Sequence, residues 1–237
     1  MLRSFLLLVL LFGVVIAILQ IGILGYAYEK MGISRRAAYA ILLCSLFGST
    51  INVPVAELPG QELVEPRFVY DRWGVAYQVV SQLPGTELAV NLGGAIIPTV
   101  LSIYLVVKNQ IYGEALLGIA IASAVVHALA EPVPQMGISV PVFLPPIISA
   151  VVAMLLSRDY AAPLAYVTGC MGTLVGADLL NLGTLTSLGA PVASIGGAGT
   201  FDGVFLTGIL AVLLAITPRP PKGAPPSAPY VQDEQPR

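Results

Sequence analysis

The chain has 237 residues, 57% of them apolar and 10% charged, with a mean hydropathy of +0.87; a water-soluble domain carries about 25% charged residues. Eleven Lys+Arg and thirteen Asp+Glu cannot cover a soluble protein of this size, so the solvent is lipid and the spanning elements are helices. A net charge of −2 without a basic patch excludes a nucleic-acid binder, and two cysteines inside apolar runs exclude a disulfide framework or a cysteine zinc site.

Seven spans are predicted, an all-α polytopic bundle forming one domain over residues 1–217. The first, from about Ser4 to Tyr28, is too long for the apolar part of a signal peptide and lacks a small-x-small cleavage site, so it reads as a retained anchor. The second runs from Arg36 to Val55. The connection 57–86 contains Phe68, Tyr70, Trp73 and Tyr77, with Val69, Trp73, Ala76, Tyr77, Val80 and Leu83 at helical spacing. That pattern predicts an amphipathic helix in the outer interface, either an aromatic anchor or a lid.

The third span runs from Glu87 to Val107 and the fourth from Tyr112 to Ala130. The fifth is irregular, about Val140 to Leu156. Prolines at 132, 134, 141, 145 and 146 leave only about 17 Å of uninterrupted helix, against a hydrocarbon core of about 30 Å. Pro145 and Pro146 are expected to open a half-helix. The preceding 131–146 stretch is expected either to enter the membrane as extended chain or to form a surface turn. The sixth span covers Ala161 to Leu182. Residues 183–199 are rich in Gly and Pro and carry the same alternatives. The seventh span covers Thr200 to Ile216, and residues 218–237, with six prolines before residue 230, read as a disordered cytoplasmic tail.

Orientation follows from Lys and Arg. One side of a seven-span chain holds Arg3, Arg67 and Arg72. The other holds Lys30, Arg35, Arg36, Lys108, Arg158, Arg219, Lys222 and Arg237. The basic side stays in the cytoplasm, so the N-terminus is expected outside and the C-terminus inside a prokaryotic plasma membrane.

Ionisable and amide residues in the spans are few: Glu87, Asn91, Glu114, His127, Glu131, Asp178, Asn181 and Asp202. At 1.5 Å per residue, Asn91, His127, Asp178 and Asp202 all stand about 23–25 Å above the cytoplasmic helix ends. Glu114 lies at the opposite rim. A polar layer just below the outer surface is the expected site, because intramembrane charge is costly and gathers around a cavity. Asp202 opens the seventh helix, where the dipole favours a carboxylate; Asp178 closes the sixth, where it does not. Such opposed environments would separate an acid from a base. The plainer alternatives are a helix cap for Asp202, a structural role for His127, and polar helix ends for Glu87 and Glu131.

Ala165, Gly169, Gly172 and Gly176 form a small-residue stripe for close helix approach, as do Gly93 and Gly94 before Pro98. Such faces also suit a homo-oligomer. Cys44 and Cys170 read as small apolar fillers.

The stretches Asn91-Leu-Gly-Gly-Ala-Ile-Ile-Pro98, Gly172-Thr-Leu-Val-Gly-Ala-Asp-Leu-Leu-Asn181 and Leu188-Gly-Ala-Pro-Val-Ala-Ser-Ile-Gly-Gly-Ala-Gly-Thr-Phe-Asp-Gly203 resemble a family of bacterial and archaeal integral membrane proteins classed as a domain of unknown function. The resemblance covers about residues 85–216. It implies a membrane protein and supplies no catalytic residues. Two aspartates on neighbouring helices are also similar to presenilin-like intramembrane aspartic proteases. However, Gly176-Ala-Asp178 lacks the second glycine of Gly-x-Gly-Asp, and no Tyr-Asp pair or Pro-Ala-Leu segment occurs in a span, so no protease role is carried over.

The leading expectation is binding or translocation of an ion or small solute, with Asp178 and Asp202 supported by Asn91, Asn181 and His127. Intramembrane hydrolysis by the two aspartates and a structural role without a site are the alternatives. No nucleotide-binding loop or metal motif appears, so no cofactor or metal is expected; the partners are the bilayer and the unidentified ion or solute.

Overall fold

The computed structural model describes residues 22–59, 62–70, 76–82, 85–133, 137–185, 192–197 and 203–215. Residues 1–21, where the retained anchor is expected, the proline-rich tail, Trp73 and Asp202 lie outside them. Helix α1 occupies residues 22–30, followed by α2 (Arg35–Gly48), α3 (Ile97–Asn109), α4 (Tyr112–Leu129), α5 (Leu144–Leu156), α6 (Ala161–Thr173), the short α7 (Leu182–Leu185) and α8 (Gly203–Leu214). Among the described residues three helical stretches are long and apolar enough to cross a membrane: Leu92–Asn109, Tyr112–Leu129 and Ala161–Thr184. Arg36–Gly48, Leu144–Leu156 and Gly203–Leu214 are shorter and apolar.

Strands accompany the helices, which corrects the all-α expectation. β1 (Asn52–Leu58), β4 (Thr86–Asn91) and β7 (Val192–Ile195) form a sheet in the order β1-β4-β7, antiparallel between the first two and parallel between the last two. β2 (Glu62–Tyr70) pairs antiparallel with β3 (Ala76–Gln82), and β5 (Glu131–Val133) with β6 (Gly137–Ser139).

Three boundaries shift in consequence. The second span ends as helix at Gly48, and its Asn52-Val-Pro-Val55 end belongs to β1. The third begins as helix only at Leu92, because Thr86–Asn91 pairs with β1 and β7. The interfacial helix expected in 57–86 is replaced by β2 and β3: Val64, Phe68, Val69, Tyr70, Tyr77, Val79 and Val80 are β-branched or aromatic, and here cross-strand pairing outweighs the helical spacing. Pro54 is tolerated in β1 because the ladder is irregular between Pro54 and Ala56. Pro145 and Pro146 do open α5, where the ring costs no helical hydrogen bond.

The core is organised around α6. In its 24-residue stretch, 72% of the most apolar window is buried, against 28% for α4. The small-residue stripe is divided between two neighbours. A methyl group on Gly172 would meet Ala122 Cβ, and one on Gly176 would meet the Ser123 carbonyl and Val126, both on α4. Gly169 instead faces Gly208, Thr207 and Ala211 on α8. Contacts Gly118–Thr168, Ala122–Gly172 and Val126–Gly176 run in register, so α4 and α6 are parallel.

Outward, the bundle is apolar: Leu46, Phe47, Leu116, Phe143 and Leu155 are each at least 66% exposed. A surface of this kind needs lipid or a partner to cover it.

The two ends of the bundle differ in chemistry. Lys30 Nζ donates to the Ala215 carbonyl at 3.1 Å, and Lys108 Nζ to the Gly32 carbonyl at 2.7 Å. This end therefore gathers the ends of α1, α3 and α8 with the start of α2. The three-stranded sheet lies at the other.

Candidate functional site

The polar layer is built where α2 ends and α3 begins. Asn91 closes β4 in extended conformation and caps the following turn: the Gly94 N–H donates to its Oδ1 at 2.8 Å. Its Nδ2 donates to the Ser49 carbonyl at 2.8 Å and to Asn52 Oδ1 at 2.9 Å. Asn52 Oδ1 also accepts from Ser194 Oγ at 2.6 Å. One buried amide thus ties the end of α2, β1 and β4 together, and Asn52 extends the tie to β7.

Backbone approach completes the junction. Ser45 Oγ donates to the Gly93 carbonyl at 2.8 Å. A methyl group on Gly93 would collide with the Ser45 carbonyl and the Ser49 amide, so only glycine fits. Helix α3 starts here through a π-turn, Leu92–Ile96.

Asp178 reaches the same junction from α6. Beyond Thr173 this helix widens into a π-turn, Leu174–Asp178, then tightens into a 3₁₀ turn, Leu179–Asn181. Asn181 holds the transition, its Nδ2 donating to the carbonyls of Gly176 at 3.0 Å and Ala177 at 2.9 Å. The half-buried Asp178 accepts the Gly196 N–H on Oδ2 at 2.7 Å. Gly196 has φ +76°, and a methyl group on it would come within 2.7 Å of the Ala95 Cβ and amide. The turn after β7 is thereby wedged between Asp178 and the start of α3.

The expected layer is brought together in part. Asn91 and Asp178 approach the Gly196–Gly197 turn from two sides, and Asn181 supports Asp178 from its own helix. His127 does not join them: it is exposed in the last turn of α4, on the outer side of the bundle. Glu87 and Glu131 are exposed on β4 and β5. The α4 face directed at α6 carries Ala122, Ser123 and Val126, which turns His127 outward. Asp202 lies outside the described residues, and with it the pairing of two carboxyls. Asn52, Ser194 and Gly196 were missed by sequence reasoning. Asn52 falls inside the expected second span, although Ser49-Thr-Ile-Asn52 is a polar break ahead of an alternating Val-Pro-Val. Among the described residues no group of three or more His, Cys, Asp or Glu could hold a metal.

The family described as "Protein of unknown function (DUF1614)" matches residues 46–214. The match begins within α2, upstream of the motifs that carried the resemblance. No curated protein and no solved structure matches the chain.

Proposed function

We propose that this chain, which belongs to the DUF1614 family, is an integral membrane protein that binds or moves a cation, or a solute with a cationic group, at the polar layer around Asp178. The exposed apolar exterior supports the membrane placement. The carrying observation is Asp178 itself, a half-buried carboxylate at the end of a π-turn in the most buried helix. A carboxylate at such a depth is costly and marks a functional position, and single π-turns concentrate at functional sites. The basic end faces the cytoplasm and the sheet faces outward in this reading.

Full-length protein in lipid nanodiscs tests it through thermal unfolding in chlorides of sodium, potassium, magnesium and calcium, with choline at equal ionic strength as reference. A bound cation at about 100 times its Kd stabilises by about 2.7 kcal/mol. One cation is expected to raise the melting temperature of the wild type, and Asp178→Asn to abolish that rise. Equal melting in every salt, or an undiminished rise in the variant, would remove the cation site.

A second reading, a structural layer without a ligand, draws on Asn91, whose two amide protons and oxygen all have partners within the chain. It predicts no cation-specific shift.

A further inference from the structure

Helices α2 and α3 touch closely at Gly48 and Gly93 and separate toward the basic end. The space left between them is a groove of about 650 Å³, with Ala37 and Ile41 on one wall and Ile97, Val100 and Tyr104 on the other. Val100 is 61% exposed and Tyr104 50%, so the groove opens to the outside of the bundle. Its floor and walls are apolar, yet its mouth is cationic. Lys108 Nζ stands 5.5 Å from the Tyr104 ring centroid and donates to the carbonyl of Gly32, another lining residue. An ammonium has three protons, so Lys108 can serve Gly32 and a second acceptor together. Ser34, also lining the mouth, and the exposed Arg36 follow at the first turn of α2.

We infer that this groove holds one acyl chain of an anionic glycerophospholipid, with the phosphate at Lys108. The inference rests on the membrane placement proposed above, not on the cation site. An apolar slot that closes at one end and meets a cation at the other matches a lipid in both parts, and basic recesses between membrane helices bind anionic headgroups. A soluble phosphate would leave the apolar walls empty. A zwitterionic lipid carries the same phosphate but also a choline cation, which offsets what the phosphate gains at Lys108.

Native mass spectrometry of the full-length protein, extracted in mild detergent and supplied with equal phosphatidylglycerol and phosphatidylcholine, tests the assignment. The wild type is expected to retain one phosphatidylglycerol in preference by about fivefold, the worth of one basic residue at an anionic surface. Lys108→Gln should erase the preference while Lys108→Arg keeps it, and Ala37→Trp should block retention of either lipid. Equal retention by the wild type, or an unchanged preference in Lys108→Gln, would overturn the inference. Disulfide formation between copies carrying Val100→Cys, in a Cys44→Ser background, would assign the groove to a second copy and also overturn it. Absence of the protein from the membrane fraction would fail the membrane placement as well; recovery there without lipid selectivity would fail this inference alone.

Discussion

Asn91 and Gly196 make the junction sensitive to single atoms. Asn91→Ala would orphan the buried Gly94 N–H, at about 1–3 kcal/mol, and would also remove the bonds to the half-buried Ser49 carbonyl and the exposed Asn52. A loss of about 1–3 kcal/mol is expected in reversible denaturant unfolding of the detergent-solubilised protein. Asn91→Asp should do no better, because a carboxylate can accept from Gly94 but cannot donate to Ser49 or Asn52. Unfolding of either variant at the wild-type midpoint would show that the layer carries no stability. Asp178 and Asn91 were readable as polar outliers in apolar runs. Which partners they meet was not, since Asn52, Ser194 and Gly196 carry no sign of which distant carboxylate or amide they will meet.

The elements show the same division. Helix α6 was legible because its small residues recur on a helical period and its apolar run is unbroken. The partition of that stripe, Gly172 and Gly176 to α4 and Gly169 to α8, depends on which neighbours surround it. Gly172→Val is expected to push α4 away from α6 at about 1–3 kcal/mol, whereas Gly113→Ala, with nothing within 4 Å of the added carbon, should leave the unfolding midpoint within about 0.5 kcal/mol. Equal effects of the two substitutions would contradict the close α4–α6 approach. Strand and helix are ambiguous where a segment satisfies both periods. In 62–82 the helical spacing is real, yet the β-branched and aromatic residues also suit strands, and β2 needs β3 before its hydrogen bonds exist.

At the scale of the whole molecule, Lys30, Lys108, Gly32 and Ala215 share one end, while Asn91, Asn52 and the three-stranded sheet occupy the other. This polarity predicts sidedness. In a Cys44→Ser background, an impermeant thiol reagent applied to intact cells should label Glu57→Cys on β1, and should label Ser34→Cys or Arg158→Cys only after the membrane is opened. Labelling of positions 57 and 34 from the same side would defeat the proposed topology. What the chain's composition determines alone is its apolar exterior and where its apolar helical stretches fall in broad outline, because hydropathy and charge add up locally along a run and need no partner. The count of Lys and Arg behind the proposed sidedness likewise needs no partner. Only the tertiary structure decides the sheet and the site. Asp178 meets Gly196 across 18 residues, Asn91 meets Asn52 across 39, and Ser194 meets Asn52 across 142. Such bonds form only after the helices have packed and brought their ends together, and no local pattern of residues encodes which ends those will be.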